Sequence, residues 1–411
     1  MKKSNLFARL RWNGALAGLA LVAACASAPE PEERGETAIL ALTAPAAAAK
    51  VSIVQFHAGV DVDAAIDDLA GKLGLGVMHR YRHALKGGAL LVPAPLLAKL
   101  LADPRVRSVE PDQPVQAIAA QTVPTGVRLI GADGNPNQGA GLHVAVLDTG
   151  IDLDHPDLVA NLDLAYAKDC VNEAKVPKFD DRNGHGSHVA GTVAAVDNGQ
   201  GVLGVARSTR VVPVKVLNRR GSGSWATIIC GIDHVTANAS VLRVANMSLG
   251  GSGSECSGSG CTKSALQIAV EKSVAAGVTY AVAAGNSGVD AKTSVPAAYD
   301  AVITVSAYSD ADGVLGSGDG WASFSNYGAD VDLATPGVSI LSTYRDAQYA
   351  TLSGTSMASP HVAGACALYL ASHPTATPAD VRDGLRAAAR TTYPASGDPK
   401  HAEPLLDATG L

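Results

Sequence analysis

Residues 143–150 have the sequence HVAVLDTG, an apolar run that ends on the carboxylate of Asp148. This run predicts a strand at 142–147, and comparable short apolar runs occur at 211–216, 241–246, 279–284 and 301–306. Helical patterns occur near 185–196, 225–237, 263–276 and 357–372. Strands buried on both faces have this continuous apolar character, and their alternation with helices is typical of a parallel sheet. We therefore predict, from residue 120 onward, an α/β fold in which helices cover a mainly parallel sheet.

A smaller unit is predicted upstream of this fold. Residues 50–56 alternate like a strand, and further elements are predicted at 63–73 (helix), 79–92 (hairpin through Lys86, Gly87 and Gly88), 95–101 (helix) and 106–109 (strand). This βαββαβ order is typical of a ferredoxin-like α+β module. By itself such a module carries no chemistry, and a plain binding module fits the pattern equally well.

The first 25 residues have the pattern of a secretory signal. Lys2, Lys3, Arg9 and Arg11 precede an apolar stretch at 15–24 that is too short to span a bilayer. Residues 22–25 (VAAC) resemble a bacterial lipobox, in which Cys25 would be lipidated and would tether the protein to a membrane. The alternative is an ordinary signal cut near residue 28. Residues 26–49 lack apolar periodicity and are predicted to be a linker.

The charge of the chain excludes one class of partner. Charged residues make up 17% of the sequence, and the formal net charge is -6. No basic surface is therefore available to neutralise phosphates, so we expect no nucleic acid partner.

Hydrophobic residues make up 47% of the sequence, which is ample for a large core. We expect a monomer.

Five cysteines follow Cys25, so at least one of them must be unpaired. Cys256 and Cys261 bracket a Ser/Gly loop, and we predict that they form a disulfide. Cys230 and Cys366 lie in apolar helical patterns and are predicted to be core residues. No cysteine or histidine spacing supports a zinc site.

Three segments each place one polar side chain at the end of an apolar element. Asp148 ends a predicted strand, His185 stands between two glycines at the start of a predicted helix (NGHGSHVAGT, 183–192), and Ser356 opens another (SGTSMASP, 353–360). Taken singly, a carboxylate that ends a strand is more often an N-cap or turn residue, and a serine that opens a helix is commonly a cap. His188 is predicted to be a core residue, since the pair His185 and His188 lacks the spacing of a metal site.

Together these three side chains supply an orienting carboxylate, a general base and a nucleophile, in the chain order Asp, His, Ser. An α/β-hydrolase requires the acid and the histidine after the serine, and too little chain follows Ser356 for that arrangement. A chymotrypsin-like order would begin with histidine in an all-β chain. We therefore predict acyl-transfer chemistry at the carboxyl edge of the sheet.

Four segments resemble signatures of the subtilase family: 146–157 (VLDTGIDLDHPD), 183–192 (NGHGSHVAGT), 282–286 (VAAGN) and 354–364 (GTSMASPHVAG). The resemblance implies a three-layer αβα subtilisin-like domain at 120–411 and a serine endopeptidase with Asp148, His185 and Ser356 as its triad. The order Asp, His, Ser is that of subtilisin itself. Ser187 and Arg207 depart from the family pattern, in which threonine and proline are usual, without removing a catalytic group.

The resemblance also assigns the residues around the triad. Asn286 corresponds to the family's oxyanion-hole asparagine, although an isolated Asn-Ser-Gly is usually a turn. Ser248, Leu249 and Gly250 correspond to the strand along which the substrate backbone pairs. An ordinary strand that ends in a glycine turn gives the same sequence.

Calcium is the cofactor that the resemblance implies. Its ligands would be side-chain oxygens of Gln121, Asp157 and Asn198 together with the carbonyls of Val196, Gln200 and Val202. Without the resemblance, the loop at 197–202 would be interpreted as solvated.

The same resemblance implies processing between Ala119 and Gln121, with residues 50–119 as an inhibitory propeptide that assists folding and occupies the substrate cleft. The predicted function is then a secreted endopeptidase of protein and peptide substrates. Two alternatives from other classes remain, a catalytically silent surface lipoprotein and an esterase.

Overall fold

The computed structural model describes residues 49–112, 120–172, 178–316 and 318–411. The predicted signal, the linker up to residue 48 and residues 113–119 before the predicted cleavage point lie outside these ranges. The chain divides into two compact units, Met1–Val115 and Gln116–Leu411. No helix within the described ranges combines the length and apolar character needed to cross a membrane.

The first unit has the predicted βαββαβ order. Its elements are β1 Lys50–Phe56, α1 Val62–Leu73, β2 Gly76–Tyr81, β3 Gly87–Val92, α2 Leu97–Leu101 and β4 Val106–Pro111. The strands form an antiparallel sheet in the order β2-β3-β1-β4, and residues such as Ile66, Leu69 and Leu90 pack between helix and sheet.

Gly87 lies in a strand of this sheet, whereas the sequence placed it in the hairpin turn. A Cβ atom at this position would lie 2.0 Å from the carbonyl oxygen of Val54 on β1. The glycine is therefore required by the close approach of two strands.

The second unit contains the predicted α/β fold. Its helices are α3 Thr125–Leu129, α4 His185–Ala194, α5 Trp225–Ala237, α6 Ala265–Ala275, α7 Thr355–Ser372 and α8 Pro378–Ala388. Its strands are β5 His143–Asp148, β6 Lys168–Asp169, β7 Arg210–Lys215, β8 Val244–Met247, β9 Gly251–Ser252, β10 Thr279–Ala283, β11 Ser294–Val295, β12 Ile303–Ser309, β13 Gly320–Trp321, β14 Leu333–Pro336, β15 Ile340–Tyr344 and β16 Gln348–Leu352.

The central sheet has the strand order β13-β12-β10-β8-β5-β7-β6, with β14 paired to β12. All pairings are parallel except that of β13 with β12. Alternate residues of β5 belong to two separate cores: Val144 and Val146 pack with α4 and α7, and Ala145 and Leu147 with α5 and α6. Helices therefore cover both faces, which is the predicted three-layer αβα arrangement.

The strand order brings three predicted functional segments to one edge of the sheet. Asp148 ends β5, Ser248 follows β8, and Asn286 lies shortly after β10; these are neighbouring parallel strands. Their carboxyl ends point the same way, which is where α/β sheets bind ligands.

The cysteine predictions are confirmed for three residues and wrong for one. Cys256 and Cys261 form a disulfide, and Cys366 is buried and free. Cys230 is not a plain core residue, because it forms a disulfide with Cys170. Cys170 follows β6, and its backbone N–H donates to the carbonyl oxygen of Lys215 on β7. This hydrogen bond places Cys170 beside α5, which carries Cys230. The helical periodicity around Cys230 identified an inward face but could not identify this partner.

Candidate active site

Asp148 and His185 form a directly hydrogen-bonded pair. The Nδ1 atom of His185 lies 2.8 Å and 2.9 Å from the two carboxylate oxygens of Asp148. The Asp148 side chain is fully buried, whereas 26% of the His185 side chain is exposed. Because a carboxylate only accepts hydrogen bonds, Nδ1 carries the proton, and Nε2 is the nitrogen that is free to accept one.

The electrostatics of this pair favour the charged imidazole. Burial by itself lowers the pKa of His185, but the charge and hydrogen bond of Asp148 outweigh it, and the charge of Asp181 adds to them. The pKa of His185 is therefore raised above its ordinary value. A ring with a raised pKa is a stronger proton acceptor, which is what a general base requires.

Close packing against the two glycines that flank His185 holds this residue in place. A Cβ atom on Gly186 would lie 2.1 Å from the carbonyl oxygen of Gly150, and one on Gly184 would lie 2.2 Å from the ring of Tyr344. The first contact brings the start of α4 against the turn after Asp148, and the second brings it against Tyr344 of β15.

Ser356 lies in the first turn of α7, where unpaired backbone amides and the helix dipole favour negative charge. Its hydroxyl donates to the carbonyl oxygen of Ser248 at 3.3 Å. Within the described ranges it has no hydrogen bond to His185, so the predicted bridging of carboxylate and hydroxyl by one imidazole is present on the carboxylate side only.

His185 lines a cavity of about 720 Å³, and Ser356 lines a neighbouring cavity of about 300 Å³. Leu249 and Gly250 line both, so the segment predicted to pair with substrate borders the cavity beside His185 and the cavity beside Ser356. Its residues 248–250 connect β8 to β9 and are not themselves a strand. Ser248 lines the larger cavity, and its hydroxyl donates to the carbonyl oxygen of Ser356 at 2.8 Å.

The orientation of the Asn286 amide follows from its neighbours. The backbone N–H of Thr355 donates to Asn286 Oδ1 at 2.8 Å, and the Thr355 hydroxyl donates to the same atom at 2.9 Å. Since a backbone N–H can only donate, the atom that it contacts is the oxygen. The Nδ2 donor therefore remains available, and Asn286 and Ser356 line the same cavity.

The sequence did not identify Asp181 as part of this site. Its buried carboxylate accepts hydrogen bonds from the Thr149 hydroxyl (2.8 Å), from the backbone N–H groups of Asn183 and Gly184 (2.9 Å each), and from the backbone N–H and hydroxyl of Ser187 (2.9 and 2.7 Å). It thereby connects the turn after Asp148 to the start of the His185 helix. An aspartate just before a helix is a capping signal, but nothing in the sequence shows that Thr149 would reach it.

The residues predicted to bind calcium meet at one location. The Gln121 amide donates to the carbonyls of Val196 (2.7 Å) and Val202 (3.0 Å). The Asn198 amide donates to Asp157 Oδ1 (3.1 Å), and the Val202 amide donates to Asp157 Oδ2 (2.8 Å). The backbone N–H of Gln200 donates to Asn198 Oδ1 at 3.1 Å.

These calcium-site predictions involve a single carboxylate. The described residues contain no group of three or more His, Cys, Asp or Glu side chains that would hold a metal ion. His188 is buried, as predicted, and its Nε2 lies 2.9 Å from the carbonyl oxygen of Ile340.

A buried carboxylate–imidazole pair and a serine at a helix N-terminus, on the carboxyl edge of a parallel sheet, are the groups of a serine hydrolase with an α/β fold. Residues 139–404 match the Subtilase family of peptidases. The chain belongs to this family and is a serine-type endopeptidase.

Relatives and solved structures agree with this assignment. The chain is 39% identical to an extracellular serine proteinase of Thermus sp. (strain Rt41A), over 90% of this chain and 92% of that protein. It is 45% identical to subtilisin DY of Bacillus licheniformis, over 66% of this chain and 92% of that one. The crystal structure of a cold-adapted subtilisin-like serine proteinase matches with a TM-score of 0.60 and 34% identity, covering 71% of this chain and 99% of its own. The predicted subtilisin-like fold is confirmed.

Proposed function

We propose that this chain is a secreted, calcium-stabilised endopeptidase that uses Asp148, His185 and Ser356 as its catalytic triad. The observation that carries the proposal is the hydrogen bond between the buried Asp148 carboxylate and His185 Nδ1, at 2.8 Å, on the cleft that Ser356 adjoins. This bond fixes the tautomer in which Nε2 accepts a proton from a serine hydroxyl.

The reaction begins when the Ser356 hydroxyl turns from the Ser248 carbonyl towards His185 Nε2. As Oγ attacks the substrate carbonyl, Nε2 takes its proton, and the carboxylate of Asp148 stabilises the imidazolium. Asn286 Nδ2 and the Ser356 backbone amide donate to the developing oxyanion. The imidazolium then protonates the leaving amine, and water releases the acyl group by the same steps in reverse.

The shape of the cleft favours peptides over simple esters. The larger cavity is lined by two short segments, residues 221–223 and residues 248–250. Both are rich in small residues, which leaves backbone groups accessible to an extended chain. This arrangement supports neither the esterase alternative nor a silent lipoprotein scaffold.

A calcium ion fits the residues around Asp157. Gln121, Asp157 and Asn198 supply side-chain oxygens, and Val196, Gln200 and Val202 supply carbonyls, a set of hard oxygen donors of the kind that calcium prefers. Two of those carbonyls converge on the Gln121 amide, which by rotation presents its own oxygen instead of its nitrogen. Bound there, the ion would join the start of the second unit to the loop after α4 and would take no part in the chemistry.

Residues 50–119 are proposed to be an inhibitory propeptide, removed by self-cleavage between Ala119 and Gln121. The alignment with the Thermus proteinase covers 90% of the chain and so includes part of the first unit. That relative is described as extracellular, which supports secretion. Cys25 would tether the protein to the cell envelope before maturation.

The proposal is tested with purified wild type, Ser356→Ala and a matched serine control, Ser372→Ala, at the other end of α7. We expect wild type and Ser372→Ala to hydrolyse casein, to react with a fluorophosphonate probe and to release a mature form that begins near residue 120. Ser356→Ala should do none of these. Hydrolysis by Ser356→Ala would refute the triad, and esters hydrolysed without peptides would favour the esterase.

A further inference from the structure

Among the described residues that line the larger cavity beside His185, one side chain is permanently charged. Its lining consists of glycines, serines, apolar side chains, Asn183, His185 and Arg220. No aspartate or glutamate is among these lining residues. The guanidinium of Arg220 therefore dominates the electrostatics of this part of the cleft.

A compact loop fixes the backbone of Arg220. Asn218 Oδ1 accepts hydrogen bonds from the amides of Arg220 (2.8 Å) and Ser222 (3.3 Å). The backbone adds bonds from Asn218 N to Ser222 O (2.9 Å) and from Gly221 N to Asn218 O (2.8 Å). Arg220 thus projects from a turn that four hydrogen bonds close.

The guanidinium of Arg220 has no ion-pair partner among the described residues. The residue is exposed, and among the described side chains no carboxylate forms an ion pair with it. The nearest catalytic carboxylate, Asp148, is fully buried and is bonded to His185. An exposed guanidinium with five donors and no partner is suited to a carboxylate supplied from outside.

The adjoining cavity beside Ser356 is electrically neutral. Its lining comprises glycine, alanine, leucine, valine, serine, threonine and asparagine residues. Among the described residues that line the two cavities, a peptide that passes along Leu249 and Gly250 therefore meets one fixed charge, and that charge is positive.

We infer that Arg220 selects substrates with an aspartate or glutamate on the N-terminal side of the scissile bond, two to four residues before it. The inference rests on the proposed peptidase function and specifies its substrate class. Unlike charges attract across the cleft, and a lysine at the same position is repelled.

The proposed cleavage site of the chain itself does not use this selection. Residues 116–120 have the sequence QAIAA and carry no charge. Variants of Arg220 should therefore still mature, which allows them to be purified as active enzymes.

The test uses fluorogenic peptides that carry Glu, Gln or Lys at the second, third or fourth position before the scissile bond. We expect wild type to prefer Glu over Gln at one position by about two- to fivefold in kcat/KM, the range of an exposed ion pair. Arg220→Gln should reduce this ratio to about one, Arg220→Glu should favour Lys instead, and added salt should weaken both preferences.

The matched control is Arg219→Gln, which removes the same charge from the neighbouring exposed residue that does not line the cavity. It should retain the preference for Glu. The inference is overturned if wild type cleaves Glu and Gln peptides equally, or if Arg220→Gln keeps the preference. If no peptide of any charge is cleaved, the proposed function itself fails, and the inference fails with it.

Discussion

The carboxylate of Asp181 accepts a hydrogen bond of 2.8 Å from the hydroxyl of Thr149, the residue that follows Asp148 in the chain. The Thr149 hydroxyl in turn accepts the amide of Gly186 at 2.9 Å, and Asp181 accepts the amide of Gly184. The residues on both sides of His185 are therefore tied to the turn after Asp148. This network sets the relative positions of Asp148 and His185, whose hydrogen bond the proposed mechanism requires.

Asp181→Asn should lower kcat with little change in KM. An asparagine offers one acceptor oxygen to a site where five donors converge, so at least one buried hydrogen bond is lost, which corresponds to about a tenfold effect. Removal of the Asp181 charge also lowers the pKa of His185, to which that charge contributes an increase. Because the neutral imidazole is the active form in the proposed mechanism, the acid limb of the kcat/KM profile should move to lower pH.

A pH profile of kcat/KM with a peptide substrate checks this prediction. Asp180→Asn is the control, because its carboxylate pairs with Arg182 and lies outside the network. A profile for Asp181→Asn that keeps the wild-type acid limb would show that the carboxylate acts on the fold alone.

Thr355→Val should impair catalysis through Asn286. The substitution removes the hydroxyl that donates to Asn286 Oδ1 at 2.9 Å and accepts from the Gly285 amide at 3.1 Å, while the backbone donor of Thr355 remains. We expect kcat to fall by about tenfold, since the amide is then less well oriented. Asn286→Leu should cost about 100- to 1000-fold, the range established for this type of donor in a subtilisin. Equal kcat for Thr355→Val and wild type would mean that the backbone N–H orients Asn286 unaided.

The sequence predicted those parts of the site that depend on one segment at a time. A strand that ends on Asp148 and glycines that flank His185 are local patterns, and the parallel order of the strands brings such ends together. Asp181 and the disulfide partner of Cys230 were missed, because each depends on contacts between segments that only the folded chain brings together. The same limit applies to Arg220, whose significance depends on the residues that surround it in the cleft.

Loss of the disulfide Cys170–Cys230 should destabilise the protein more than loss of Cys256–Cys261. The first closes a sequence separation of 60 residues and the second a separation of 5. Loop-closure entropy predicts losses of about 4 and about 2 kcal/mol in the free energy of unfolding. Serine replacements of each pair, made in the Ser356→Ala background to prevent self-digestion, give this difference by denaturant unfolding. Equal losses would mean that native contacts around the small loop outweigh its chain entropy.

Calcium removal should lower the melting temperature of the same inactive background. An ion that binds only the folded state contributes about 2.7 kcal/mol when its concentration is 100 times the Kd. Asp157→Asn should abolish the calcium-dependent shift, because it replaces the one carboxylate among the proposed ligands. Asp154→Asn, at an exposed position nearby, should keep it. A calcium-dependent shift of normal size in Asp157→Asn would locate the ion elsewhere.

Two buried histidines should make the fold sensitive to acid. Burial lowers the pKa of His188 to about 4 and that of His361 to about 4. His188 Nδ1 and His361 Nε2 have no hydrogen-bond partner among the described residues, so a proton added there would lie uncompensated in the core. Between about pH 6.5 and pH 4 the unfolded chain binds more protons than the folded one, so stability must fall as the pH falls through this window.

Each ring should contribute about 3 kcal/mol to that loss. His361→Leu tests the contribution of one ring, because it removes the titrating group from the buried helix α7. It also removes the hydrogen bond from Nδ1 to the Met357 carbonyl, so the variant should be less stable than wild type at pH 7. The informative quantity is therefore the slope of unfolding free energy against pH, measured in the Ser356→Ala background. A slope unchanged by His361→Leu would mean that this ring is already charged in the folded protein or stays neutral in the unfolded chain.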